Sequence, residues 1–134
     1  MSTAPVTPFL RLALSLDAAV SGVTALLMAA GATLLAGWTH LPEALLSWVG
    51  LGLLPYVAIV AWMATRATLP RAAVWVVIAC NALYAADCVW MLVSGFGSPN
   101  TLGQAFVAVQ AVAVAVFAEL QWMALRRATG AVIA

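Results

Sequence analysis

The sequence predicts an all-α, polytopic membrane protein: four transmembrane helices in an up-down-up-down bundle. Three observations predict it. Of 134 residues, 66% are hydrophobic and 7% charged, against roughly 45–50% and about 25% in soluble domains. The apolar residues gather into four segments of membrane-spanning length separated by turn residues. The five arginines fall on one side of the resulting topology, and lysine is absent.

Such a composition, with a mean hydropathy of +1.13, leaves too little polar surface to coat a water-soluble globule, which excludes a soluble enzyme. Disorder requires low hydrophobicity and high charge, so it is excluded too. Five arginines against four acids give no basic field for nucleic acid. The partners that remain are the lipid bilayer, another protein and a second copy of the chain.

A hydrocarbon core of about 30 Å needs on the order of 20 apolar residues per helix. The sequence supplies Leu12 to Trp38, Pro42 to Thr65, Ala72 to Ser94 and Thr101 to Leu125. The breaks are G-W-T-H-L-P at Gly37 to Pro42, R-A-T-L-P-R at Arg66 to Arg71 and G-F-G-S-P-N at Gly95 to Asn100. Each carries turn residues, and connections this short join neighbouring antiparallel helices. Residues 1–134 therefore read as one domain. The first apolar stretch exceeds the 7–15 residues or so of a signal-peptide core and carries Asp17 near its start, so it is read as a retained span.

Arg11, Arg66, Arg71, Arg126 and Arg127 share one side, which by the positive-inside rule makes both termini cytoplasmic. Trp38 and Trp48 then mark the outer interface and Trp62 and Trp122 the inner one. The two halves align with each other. A-W-M-A-T-R at Ala61 to Arg66 matches Q-W-M-A-L-R at Gln121 to Arg126 at an offset of sixty; with a small gap, Leu16 to Ala19 meets Cys80 to Leu83 and Gly31 meets Gly95. Two readings stand side by side: a tandem repeat of helical hairpins with a twofold axis along the membrane normal, or coincidence among helices rich in Ala, Leu and Val.

Packing in lipid relies on small residues and interhelical hydrogen bonds. Ala18 and Gly22 form an A-x-x-x-G pair on span one, and Ala108, Ala111, Ala115 and Ala118 a stripe on span four. Gly50, Gly52 and Pro55 give span two close contacts and a kink.

Ionisable residues inside spans cost about 2.5–3.5 kcal/mol at a helix centre on insertion scales and are functional candidates by default. Asp17, Asp87 and Glu119 qualify. At about 1.5 Å per residue, Asp17 lies roughly 9 Å inward from Arg11 and Glu119 roughly 10 Å inward from Arg126. Asp87 and Gln110 lie deeper, each about 24 Å from the arginine level, with Asn81 between at about 15 Å. Asp17, Ser21, Thr24 and Met28 share one helical face; Cys80, Tyr84, Asp87 and Met91 share another. Glu119 falls on the alanine stripe of span four and is expected to face closely packed neighbours, with Gln110 and Gln121 on the opposite side.

The candidate polar site is thus Asp17, Asn81, Asp87, Gln110 and Glu119. It admits two functions: a proton, cation or small-ligand path in a carrier, or protonated acids and amides that fix helix register in a scaffold, accessory subunit or binding module. A chain this short has little room for both a substrate cavity and a gate, which favours the second.

Other chemistry is thin. Cys80 and Cys88 are about 12 Å apart along one helix, beyond disulfide reach. A single histidine, His40, supplies neither paired haem ligands nor a zinc site, so no metal or other cofactor is expected. No phosphate loop or nucleophile elbow occurs. An enzyme is not expected.

The stretches L-R-L-A-L-S-L-D-A-A-V-S-G from Leu10, G-L-G-L-L-P-Y from Gly50, A-C-N-A-L-Y from Ala79 and A-V-F-A-E-L-Q-W-M-A-L-R-R from Ala115 resemble a group of small four-span proteobacterial inner-membrane proteins of unassigned function. The resemblance implies a bacterial inner-membrane location and transfers no catalytic residue.

Overall fold

The computed structural model describes the backbone of residues 2–133 and the side chains of residues 2–128. A short strand β1 (Thr3–Pro5) leads into α1 (Pro8–Ala30), and α2 (Ala32–Thr39) follows directly. Then come α3 (Glu43–Ala64), strand β2 (Thr68–Pro70), α4 (Arg71–Ser94) and α5 (Thr101–Ile133). The protein is all-α apart from the two three-residue strands. Helices α1, α3, α4 and the Thr101–Ala128 part of α5 are each long and apolar enough to cross a membrane. Large apolar side chains such as Val23, Leu26, Trp48, Leu83, Val93 and Val109 lie exposed on the outside. That surface suits hydrocarbon and not water, and the chain is a multi-pass membrane protein.

Local sequence explains the helix limits. Pro8 occupies the first turn of α1, where a missing N–H costs nothing, and the Thr7 hydroxyl accepts from the Leu10 amide at 3.2 Å. The first span is not one helix to Trp38, as its apolar run predicts. It breaks at Gly31, where a Cβ would sit 2.7 Å from the Leu27 carbonyl oxygen, and resumes as α2. A side chain at that close approach would oppose the break; glycine permits it. Pro55 lies inside α3 and is accommodated without ending the helix.

The strands were not legible in the sequence. β1 pairs antiparallel with β2, Ala4 opposite Leu69, and both residues are buried. The segment before the first span therefore closes over the α3–α4 connection, at the end carrying the arginines. There Arg11 donates to the Ala64 carbonyl, and to that of Arg66 at 3.3 Å, capping the C-terminus of α3. Arg66 and Arg126 lie over the rings of Trp62 and Trp122, and Arg127 over Phe9.

Helix α1 packs along α3, α4 along α5, and α1 against α5. In cross-section the order is α3, α1, α5, α4, an arc whose ends do not pack along each other. The short α3–α4 connection, which contains β2, therefore does not make those two helices packed neighbours. At the arginine end the opening is filled by Val60, Met63, Val74 and Val77 against Leu10 and Leu14. Toward the other end a smaller core of Met28, Leu41, Leu46, Cys88 and Val107 holds the bundle together.

The crossing of α1 and α3 is close. A Cβ on Gly50 would lie 2.5 Å from the Ala29 nitrogen and 2.8 Å from the Met28 carbonyl carbon. Gly22, expected to serve as a packing residue, has Val57 as its neighbour across the same seam at ordinary van der Waals distance.

Candidate functional site

Asp17 is fully buried and joins all four spans. Its Oδ1 accepts from the Ser21 hydroxyl, one turn along α1, at 2.9 Å. Its Oδ2 accepts three more bonds: from the Tyr56 hydroxyl of α3 at 2.7 Å, Asn81 Nδ2 of α4 at 2.8 Å and Gln121 Nε2 of α5 at 2.7 Å. Asn81 Nδ2 also donates to Gln121 Oε1 at 3.1 Å. No buried side-chain nitrogen or oxygen among the described residues lacks a partner. Four neutral donors around one carboxyl group, with no cation at hand, form a satisfied network that fixes both the rotation and the register of each helix.

Helical phase puts each donor in place. Ser21 lies four residues beyond Asp17, on the face that the sequence assigns to span one. Gln121 belongs to the buried seam of α5 with Val107, Ala111, Phe117, Ala124 and Ala128, successive members lying three, four or six residues apart. That seam is not the alanine stripe. Glu119 and Ala115 are exposed on the outer face of α5, so the expectation that Glu119 faces closely packed neighbours is corrected. The physical reason is side-chain volume: α5 meets α1 and α4 through Val107, Phe117 and Gln121, which fill the space, while alanines were equally free to face lipid. Ala111, on the edge shared by both patterns, is buried; Ala18 is half-buried beside the core near the arginine end.

The five candidate residues do not form one site. Asp17 and Asn81 meet in the network. Glu119 has no hydrogen bond or ion pair among the described residues and stands alone on the outside. Asp87 and Gln110, predicted to share a depth, do not bond each other. Gln110 accepts from Tyr84 at 2.5 Å, while Asp87 is exposed and has neither hydrogen bond nor ion pair among the described residues. Tyr56 and Gln121 carry no charge that would mark them in the sequence as site residues. The signal that would have found Gln121 is its depth, about 7.5 Å inward from Arg126 and so close to the level of Asp17.

The gap in the helical arc holds two adjoining spaces. One, about 210 Å³, lies beside the Asp17 network and is lined by Ser21, Tyr56, Asn81, Tyr84 and Gln110 among apolar residues. Asp17 itself does not line it, being screened by its own donors. The second, about 430 Å³, lies toward the arginine-free end between α3, α4 and α5. The Tyr84–Gln110 pair borders both. The predicted face of Tyr84, Asp87 and Met91 forms the α4 wall of the larger space, with Cys88 beside it. Cys80 and Cys88 are both free thiols.

Asp17 and Asn81 are also the two positions that the internal alignment superposes, at an offset of sixty-four. Helices α1 and α4 correspond along their length, ending at the aligned pair Gly31 and Gly95. The four-residue difference between this offset and the sixty that relates the W-M-A motifs falls in the inter-helix connection, where α2 exists only in the first half.

A scan of protein-family models finds none that matches this chain, and comparisons with curated proteins and with solved structures return no similar protein.

Proposed function

We propose that this chain is a non-enzymatic multi-pass protein of a bacterial inner membrane, with both termini cytoplasmic, that acts as a membrane-embedded binding module. In this reading the Asp17 network is the structural lock, and the crevice between α3 and α4 receives the ligand. The observation that carries it is the contrast between the two: Asp17 is saturated by donors from all four spans and screened from the cavities, whereas the crevice is open beside Asp87, which has no hydrogen bond or ion pair among the described residues. The one-sided arginines support the orientation. The resemblance to four-span proteobacterial proteins supports the location.

Native mass spectrometry of protein extracted from its membrane tests the binding role. A Cβ on Gly52, which lines the crevice and makes no bond in the Asp17 network, meets nothing within 4 Å, so Gly52→Trp adds bulk at the crevice wall. A stoichiometric adduct on the wild-type chain and none on a folded Gly52→Trp chain is expected; identical adducts on both would remove the crevice from the reading. Acid-driven flux in liposomes that disappears in a folded Asp17→Asn chain would replace the reading with a proton-coupled carrier. A C-terminal reporter that is active only outside the cytoplasm, found active here, would reverse the orientation.

A further inference from the structure

We propose that the crevice between α3 and α4 binds a lipophilic organic cation, an ammonium or phosphonium bearing alkyl or aryl groups, with its charge at the Asp87 carboxylate. The inference rests on the binding-module reading and names its ligand class. Three observations support it. The larger space, about 430 Å³, falls within the roughly 300–1,000 Å³ usual for small-molecule sites. Its walls are mostly apolar and carry four aromatic rings, Tyr84, Trp90, Phe96 and Phe106, with Trp90 and Phe96 packed at a centroid distance of 5.3 Å. Asp87, the one carboxylate on its lining, has no hydrogen bond or ion pair among the described residues, and no Lys or Arg lies at its depth.

Charge complementarity selects among occupants. A lipid acyl chain would fill the apolar walls and leave Asp87 unpaired at membrane depth, an arrangement that costs free energy. A hydrated metal ion needs several oxygen ligands; beside Asp87 the lining offers chiefly Tyr84 and Gln110, which are bonded to each other. A delocalised cation with apolar substituents satisfies both features, since its charge meets the carboxylate and the ring faces while its hydrocarbon meets the walls.

Equilibrium dialysis of the full chain in detergent, with tetraphenylphosphonium and with uncharged triphenylphosphine oxide as probes, tests this. Tetraphenylphosphonium is expected to bind saturably, to weaken by about tenfold or more in Asp87→Asn, to persist in Asp87→Glu and to be lost in Gly52→Trp. Glu119→Gln, which removes an acid outside the crevice, leaves it unchanged. The neutral probe is expected to be indifferent to Asp87→Asn. If both probes bind and neither responds to Asp87→Asn, the cation inference is overturned while the crevice reading stands. If the cation does not bind the wild-type chain at all, the inference is overturned whatever the adduct experiment shows. Circular dichroism of each variant confirms that a loss of binding is not a loss of fold.

Discussion

Asp17 and Asn81, sixty-four residues apart and equivalent in the internal alignment of the two halves, are bonded to each other at 2.8 Å inside the bundle. A twofold axis exchanging the hairpins would map the packing of α1 on α5 onto α4 and α3, which do not pack along each other, so the helix arrangement does not follow that symmetry. The hydrogen bonds do not repeat between the halves either. Asp17 takes its α3 partner from Tyr56 and Asn81 its α5 partner from Gln121, and the offset-sixty alignment does not superpose those two. One half supplies the acceptor and the other supplies two amide donors, so the hydrogen-bond network is directional.

Because Oδ2 receives three of the four bonds, the two obvious substitutions at Asp17 are expected to differ sharply. Asp17→Asn can place its single carbonyl oxygen where Oδ2 stands and turn its amide toward Ser21, whose hydroxyl then accepts; the cost is expected to stay below about 1 kcal/mol. Asp17→Ala strands the Tyr56 hydroxyl and Gln121 Nε2 without an acceptor, at about 2–4 kcal/mol. Thermal unfolding in detergent micelles measures both. Equal losses would mean that the charge, and not the geometry of acceptance, holds the helices.

The same measurement separates Gln121 from Glu119, only two residues away. Gln121→Leu removes a donor to Asp17 and the acceptor for Asn81 and is expected to destabilise by about 1–3 kcal/mol. Glu119→Gln, on the outer face, is expected to stay within about 0.5 kcal/mol. A large effect at Glu119 would place that residue in a contact that this single chain does not make.

Gly50 and Gly52 form a second contrast. Gly50→Ala drives a methyl into the α1 backbone at Ala29 and is expected to cost about 1–3 kcal/mol. Gly52→Ala enters open space and gains helix propensity, so it is expected to be neutral or stabilising by up to about 1 kcal/mol. If both are tolerated equally, the helices can separate at Gly50 without penalty.

The β-ribbon gives a prediction about dynamics. Deleting residues 2–6 removes β1 while leaving the Thr7 cap of α1, and uncovers Leu69. Amide exchange across residues 65–71 is expected to accelerate by about tenfold or more, with exchange in α2 and the first turns of α5 unchanged. Acceleration throughout the chain would mean that the ribbon supports the whole bundle.

Composition and periodicity determined, by themselves, the all-α class, the four spans, the breaks near Arg66 to Arg71 and Gly95 to Asn100, and the polar faces of α1 and α4. Those features are local: span length follows from runs of apolar residues, and turns follow from Gly, Pro and Asn. The internal alignment places Asp17 opposite Asn81 but carries no sign that they touch. Tertiary structure decided which side of α5 is buried, because in a helix that is apolar all round no hydrophobic period marks an inside, and both alanine and valine are at home against lipid. It decided, too, that Tyr56 and Gln121 complete the Asp17 network, that Gly31 splits the first span, and that α3 and α4 stand apart. Each depends on how large side chains fill the space between helices, a property of pairs of surfaces that a single strand of sequence does not carry.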